Sequence, residues 1–220
     1  MMDQTPKRQT EKFDDQLALI PHYQRYPVMK PFVGGDYGRH GLKFLLVGES
    51  HYLPKASRIH RDPDRWYVGG EGDLSDEEKK WLNTRNLLDR AGWRERGHTI
   101  YRNLERALSE SGFPREDNAF VNVAFLNAFQ RPAIYKKSIK AGKRDVQVSR
   151  DTLQGVIDVL EPAYVLFVSR KAHGLIRSHL SVPSSSVPHP ACAWWNRESK
   201  RGTGKQQFIN LVSGYLSAAG

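Results

Sequence analysis

Apolar runs alternate with amphipathic stretches from about residue 42 to the end of the chain. "KFLLV", Lys43 to Val47, is a short apolar run closed by Gly48, the form of a buried strand in a parallel sheet. Residues 53–75 are polar and interrupted by Gly and Pro, which predicts a loop long enough to carry function. "SDEEKKWLNTRNLLDRAG" opens on Ser75 and Asp76 as cap candidates, places acids in its first turn and stops at Gly92, so it predicts a helix. "TIYRNLERALSESG" repeats that form, with Ile100, Leu104 and Leu108 on one face and Gly112 as its stop. "AFVNVAFLNAF" lacks clean alternation and predicts a strand covered on both faces. The basic segment "YKKSIKAGKRDVQVSR" then leads into a helix from about Arg150 to Leu160, stopped before Pro162. "AYVLFVS" predicts another buried strand, "RKAHGLIRSHL" a helix, "SSSVPHP" a short strand or its exit, and "GKQQFINLVSGYL" a closing helix.

This order implies an α/β protein, a three-layer α/β/α sandwich around a central, mostly parallel sheet of about four strands. Residues 1–40 read differently, as a polar tail and then Pro- and Gly-punctuated chain with one short helix near Phe13 to Leu19. They are expected to form an N-terminal extension packing on or flanking a single domain over 41–220, since 220 residues suit one core.

Composition narrows the classes. No apolar run approaches the roughly 20 residues that span a bilayer, and the first residues lack the apolar core of a secretory signal, so a cytoplasmic monomer with no membrane partner is expected. Cys192 is the only cysteine, which excludes an internal disulfide and any thiolate-built cluster. That leaves a His/carboxylate metal site open, but no HExxH or comparable spacing appears, and no metal and no cofactor is expected. Lys and Arg number 34 against 24 Asp and Glu, a net charge of +10. That field favours a polyanion, and nucleic acid is the expected partner.

In an open parallel sheet ligands bind at the carboxyl ends of the strands. Gly48 closes one predicted strand and Glu49, Ser50, His51 and Tyr52 lie just past it, Asn127 and Arg131 lie just past another, and His189 stands at the exit of a fourth. Residues distant in sequence thus converge on one edge. "GGDYG" and "GGEGD" do not sit between a strand and a helix, which argues against a phosphate-binding loop.

Four segments resemble, in order, the uracil-DNA glycosylase superfamily. "LLVGESHY" resembles its first motif, a strand running into GE-x-PG in one branch and GQDPYH in another. "GFPREDNAFVNVAFLNAFQRP" resembles the stretch whose strand carries the base-reading Asn. "EPAYVLFVSRKAHGLI" resembles the third strand and its helix. "VPHPACAWWNR" resembles the second catalytic motif, His-Pro-Ser/Ala followed by a loop that enters DNA. The match covers roughly 42–216 and departs from the family at definite places. His51 and Tyr52 replace Pro-Gly, Ser50 stands where GQDPYH has its aspartate, 53–98 is longer than usual, and the cluster cysteines of one branch are missing.

The resemblance implies a repair enzyme that hydrolyses the glycosidic bond of a flipped uracil or related damaged base in DNA. Glu49 would stabilise the cationic sugar and orient or activate water. His189, stiffened by Pro188 and Pro190, would donate to the carbonyl of the leaving base. Asn122 aligns with the Asn that reads the base edge, while Asn127 lies nearer the strand end, and both stand as candidates. Tyr52, or Trp66 and Tyr67, would wall the pocket. Trp194, Trp195 and Arg197 are candidates for the wedge that fills the vacated stack. Arg131, Lys136, Lys137, Lys140, Lys143, Arg144, Lys200, Arg201 and Lys205 are the phosphate-contact candidates. The competing expectation is a nucleic-acid-binding protein of the same fold with weak or no catalysis.

Overall fold

The computed structural model describes residues 8–113 and 118–219. The start of the polar tail, 1–7, and residues 114–117 of the Asn-bearing segment lie outside the described residues. Two short helices, α1 (Asp14–Ala18) and α2 (Pro21–Arg25), lead into a two-residue strand, β1 (Phe32–Val33). Leu17, Tyr23, Tyr26, Phe32 and Val33 are buried and join the same apolar clusters as the rest of the sheet. The extension therefore supplies core. Gly34 follows β1 tightly under the chain at Val121, whose carbonyl oxygen would stand 2.2 Å from a Cβ, so only glycine fits there.

The next strand, β2 (Phe44–Tyr52), does not stop at Gly48. Its parallel partner keeps pairing, Gly48 with Asn127 and Ser50 with Phe129, so the polar residues are held in the strand rather than in a loop. The expected loop over 53–75 contains α3 (Pro63–Val68), begun by Pro63 and by the Asp62 carboxylate accepting from the N–H groups of Asp64 and Arg65. The single helix expected over 75–92 is two, α4 (Asp76–Leu82) and α5 (Thr84–Asp89). Ser75 and Glu78 cap the first reciprocally, while the Asn83 side chain accepts from the Asn86 N–H and restarts the second. α6 (Thr99–Glu110) runs as predicted.

Residues Ala119–Asn122 are a 3₁₀ turn, and the strand begins only after it, β3 (Ala124–Ala133). Asn118 competes for this backbone by accepting from the Phe120 N–H. The following helix, α7 (Lys143–Leu160), starts well before Arg150, because the Asp145 carboxylate accepts from the Gly142 N–H and caps it. β4 (Tyr164–Phe167), α8 (Arg170–Ile176), β5 (Ser184–Ser186) and α9 (Gly204–Ala219) complete the chain.

The fold is α/β around a mixed five-stranded sheet in the order β1-β3-β2-β4-β5. β1 is antiparallel to β3 and the other pairs are parallel, so the strand beyond the expected four is the edge strand from the extension. Side chains alternate between the two faces, as a strand requires. Leu45, Val47, Leu126, Val165 and Phe167 pack with Leu153, Val156 and Ile157 of α7. Phe44, Leu46, Phe125 and Leu166 pack with Leu104 and Leu108 of α6 and Phe208 and Val212 of α9. Truncating such a residue, as in Leu46→Ala, costs about 2–5 kcal/mol.

Two features aim side chains. β3 pairs to one side of β2 and β4 to the other, which puts a crevice at the carboxyl end of β2. Between the pairs Ser50 with Phe129 and Tyr52 with Ala133 the register slips, and Ala128 and Phe129 both fall in the α7-side cluster. Beyond this bulge the alternation of β3 is reversed.

Candidate functional site

A cleft of about 640 Å³ opens at the carboxyl end of β2. Gly48 to Tyr52 line it together with Thr84, Tyr101, Asn127, Tyr135, Lys136 and His189. A hollow of about 420 Å³ shares Glu49 and His189 with it and extends along Ser169, Lys171, Cys192 and Trp194. Glu49 and His189 therefore stand where the two spaces meet.

The Glu49 carboxylate is held by hydroxyls. Ser138 Oγ donates to Oε1 at 2.6 Å, and Ser169 Oγ donates to Oε2 at 2.8 Å. Ser169 is also the N-cap of α8, accepting from the Ala172 N–H, so helix and carboxylate are aligned by one side chain. Lys171 Nζ donates to Ser138 at 2.8 Å and stands 4.0 Å from Oε1. The Glu49 side chain is 15% exposed, which leaves its charge in a partly desolvated field.

His189 is half-buried. Its Nδ1 accepts from the Ala191 N–H at 3.2 Å, so the neutral ring carries its proton on Nε2, as a donor. Burial pushes its pKa below the ordinary value, with the nearby Glu49 charge pulling the other way. The Pro190 carbonyl accepts from Asn103 Nδ2 at 2.7 Å, tying the loop to α6.

Asn127 lies against β2 so closely that a Cβ on Gly48 would stand 2.3 Å from its Oδ1 and 3.0 Å from Phe125 Cζ. Glycine is required there for space, not for a turn. Thr84 Oγ1 lies 3.0 Å from Nε2 of His51, and burial raises the Tyr101 pKa, with Thr84 and Asn127 pulling the other way. Burial pushes the His51 pKa down to about 4, so the ring is neutral. Tyr52 meets Tyr135 edge-on with ring centres 6.3 Å apart, and Tyr135 meets Trp81 at 5.6 Å. Burial, with the Glu49 charge, raises the Tyr52 pKa.

Several expectations fall elsewhere. Asn122 precedes β3, at the amino end of the strand, and its buried amide donates to the Ala119 carbonyl, so Asn127 is the asparagine of the cleft. Tyr67 is buried on the α7 side and donates to Asp145 Oδ1 at 2.8 Å, and Trp66 is buried with its indole N–H on the Gln130 carbonyl, so neither walls the cleft. Arg131, turned by the bulge, is buried on Asp145 at 2.7 and 2.8 Å and is not a phosphate contact. Trp195 is buried against Phe208, whereas Trp194 is 52% exposed with the Arg197 guanidinium 5.6 Å from its ring centre. Arg144 is exposed but ion-paired with Asp64, and Lys205 is paired with Glu110. Lys136, Lys137, Lys140, Lys143, Lys200 and Arg201 are exposed.

Sequence reasoning missed Thr84, Tyr101, Ser138, Ser169 and Lys171. Ser169 had a signal, since it follows β4 at the same sheet edge. Among the described residues no three His, Cys, Asp or Glu side chains gather as a metal centre would require, and no helix is long and apolar enough to cross a membrane. No protein-family model matches the chain, and a comparison with curated proteins finds no match.

Proposed function

We propose that the chain is a DNA glycosylase of the uracil-DNA glycosylase superfamily, a three-layer α/β/α protein that hydrolyses the glycosidic bond of a flipped uracil or related deaminated base. The observation that carries this reading is that Glu49, His189 and Asn127, from three separate segments resembling the family, line one cleft. Cleavage leaves positive charge on the sugar and negative charge on the base. Glu49 faces the first, stabilising the cation and orienting the water that adds to the sugar carbon. The Nε2 proton of His189 faces the second, as a donor to the base carbonyl, a contact worth about 3 kcal/mol in comparable sites. Asn127 reads the edge of the base. Exposed Trp194 with Arg197 would enter the stack, and Lys136, Lys137, Lys143, Lys200 and Arg201 would meet phosphates.

A second reading has its own observation. Both Glu49 oxygens already accept from serine hydroxyls and Lys171 stands nearby, an arrangement that suits a protein that binds nucleic acid without cleaving it. One panel separates the two. Free base is measured after incubation with oligonucleotides containing uracil, hypoxanthine or xanthine. The glycosylase reading expects release from at least one, lowered about 10²- to 10⁴-fold by Glu49→Gln. Binding that weakens steeply with salt, without release from any lesion, would establish the second reading instead.

A further inference from the structure

The chemistry proposed above uses none of the cleft wall that residues 53–98 build. At about 640 Å³ the cleft suits a drug-sized ligand, and one pyrimidine leaves much of it open. Trp81 on α4 and Tyr135 just after β3 line this remaining space, with Lys80, Arg96 and Lys136, all three exposed. Among the described residues of the lining Glu49 is the one carboxylate, and its oxygens accept from Ser138 and Ser169. The wall therefore combines aromatic rings with a surplus of positive charge.

Trp81 is 40% exposed, while the next residue of α4, Leu82, is fully buried, and neither Trp81 nor Tyr135 joins either apolar cluster. The buried tryptophan of the same segment behaves differently. Trp66 lies face to face with Tyr26, ring centres 4.3 Å apart at 9°, which covers a face of each ring. Trp81 instead meets Tyr135 at 77°. Whichever ring supplies the edge, Trp81 keeps at least one face that its aromatic partner does not cover. The turn that carries Tyr135 is fixed by the Lys137 N–H donating to the Ile134 carbonyl at 2.8 Å, with Lys136 at a φ of 59°, a left-handed conformation that a lysine rarely takes. That turn brings Lys136 Nζ to 5.3 Å from the Tyr135 ring centre.

We propose that Trp81 and Tyr135, with Lys80, Arg96 and Lys136, form a second base-binding site that stacks an unpaired base and meets its phosphates, so that the cleft takes single-stranded nucleic acid in preference to duplex. An open aromatic face binds any base whose own face is open, and in a duplex the neighbouring pairs cover those faces. Cations around the rings complement the phosphates that come with the base. That the ligand is nucleic acid is common to both readings above, and only the place of the stacked base beside a flipped one rests on the glycosylase reading. The site also gives the long 53–98 segment a task, since Lys80, Trp81 and Arg96 all lie within it.

The test uses lesion-free strands, so that it does not depend on turnover. Affinities for fluorescein-labelled oligothymidylate of about ten nucleotides, alone and paired with oligoadenylate, are compared by anisotropy over a series of salt concentrations. The parent is expected to bind the single strand about tenfold tighter than the duplex. Trp81→Ala should weaken single-strand binding about tenfold while leaving duplex binding and the slope of log K against log salt unchanged, and Trp81→Phe should restore most of the loss. Lys136→Ala should flatten that slope instead. Tyr135→Ala decides if Trp81→Ala fails to fold. Equal parental affinity for both forms, a single-strand affinity unmoved by both alanine variants, or an equal loss on both forms overturns the proposal. Selective loss in the variants, with no base released by the parent from any lesion, keeps the stacking site and removes the glycosylase reading. Base release by the parent, with single-strand affinity unmoved in the variants, does the reverse.

Discussion

Asn127 and Arg131 stand four residues apart on β3, and both are 7% exposed. Their fates differ because the bulge between them turns one toward α6 and the cleft and the other toward α7. Arg131 has committed four of its five donors, two to Asp145 and two to the carbonyls of His60 and Lys140. Burial opposes the charge on Asp145, but Arg131, the Gly142 N–H and Tyr67 outweigh it and hold the carboxyl below its usual range. Asn127, in contrast, lines a cleft large enough for a planar ligand. A buried polar group whose bonding capacity is exhausted is architecture, and one that retains capacity toward a cavity is a candidate for function.

The largest effect should come from acid, which strikes both sides of the bulge. His51 belongs to the Asn127 side. His60 accepts from Arg131 through its carbonyl, and His22 lies with ring centres 6.4 Å from Tyr67. Burial holds their pKa values at about 4, about 4 and about 3, with His51 adding to the shift at His22 and nearby arginines adding at His22 and His60. An unfolded histidine titrates near 6.5, so between there and 4 the unfolded chain binds more protons and stability falls as pH falls. At pH 5 this amounts to about 2 kcal/mol each for His22 and His51, with His60 acting in the same direction. Urea midpoints that stay level from pH 7.5 to 5 would mean that these rings are solvated.

Asp145→Ala isolates the Arg131 side. It strands a buried guanidinium and should cost about 3–5 kcal/mol in denaturant unfolding. The paired change Arg131→Met with Asp145→Leu should recover much of this, because no charge is left unpaired. A single mutant as stable as the parent would show that Arg131 reaches water, and would reopen its reading as a phosphate contact.

On the other side, Gly48→Ala tests the packing of the cleft floor. The added methyl must displace the Asn127 amide or move β2, with an expected cost of about 1–3 kcal/mol. If the amide moves, the binding ratio between uracil and cytosine strands should fall more than stability does. Equal binding of both strands by parent and variant would detach Asn127 from ligand reading.

The sequence carries the strand and helix order well where apolar runs end at strong stop signals, as at α6, β4, α8 and α9. It hides β1, because two strand residues among Pro31, Gly34 and Gly35 have no period to display. It also hides the bulge, which no pattern of residue types marks, and with it the separation of Arg131 from Asn127. Tyr67 and Arg131 read as exposed functional groups because their partner, Asp145, is 78 and 14 residues away. The choice between Asn122 and Asn127 turns on where β3 begins, and a local bond from Asn118 decides that. Glu49, Asn127 and His189 were legible by the strand-end rule alone. Thr84 and Tyr101 were not, since they reach the cleft from helices whose periodicity speaks only of packing.

Glu49→Gln should give the smallest change in stability, within about 1 kcal/mol, and this is what sets it apart from Asp145. Both carboxylates accept from more than one donor, but Asp145 is wholly buried and paired with a buried cation, whereas Glu49 is partly exposed with Lys171 only at 4.0 Å. A glutamine keeps one oxygen to accept from a serine hydroxyl, and its amide N–H can donate to the other serine's oxygen while that serine turns its own proton toward solvent. The neutral amide also sheds the cost of holding a charge in a partly desolvated cleft. Thermal unfolding of the variant should therefore track the parent while base release collapses. A loss of several kcal/mol would instead make Glu49 a second Asp145, a carboxylate that holds α8 against β2 through Ser169, and the cleft would lose its candidate for the reaction.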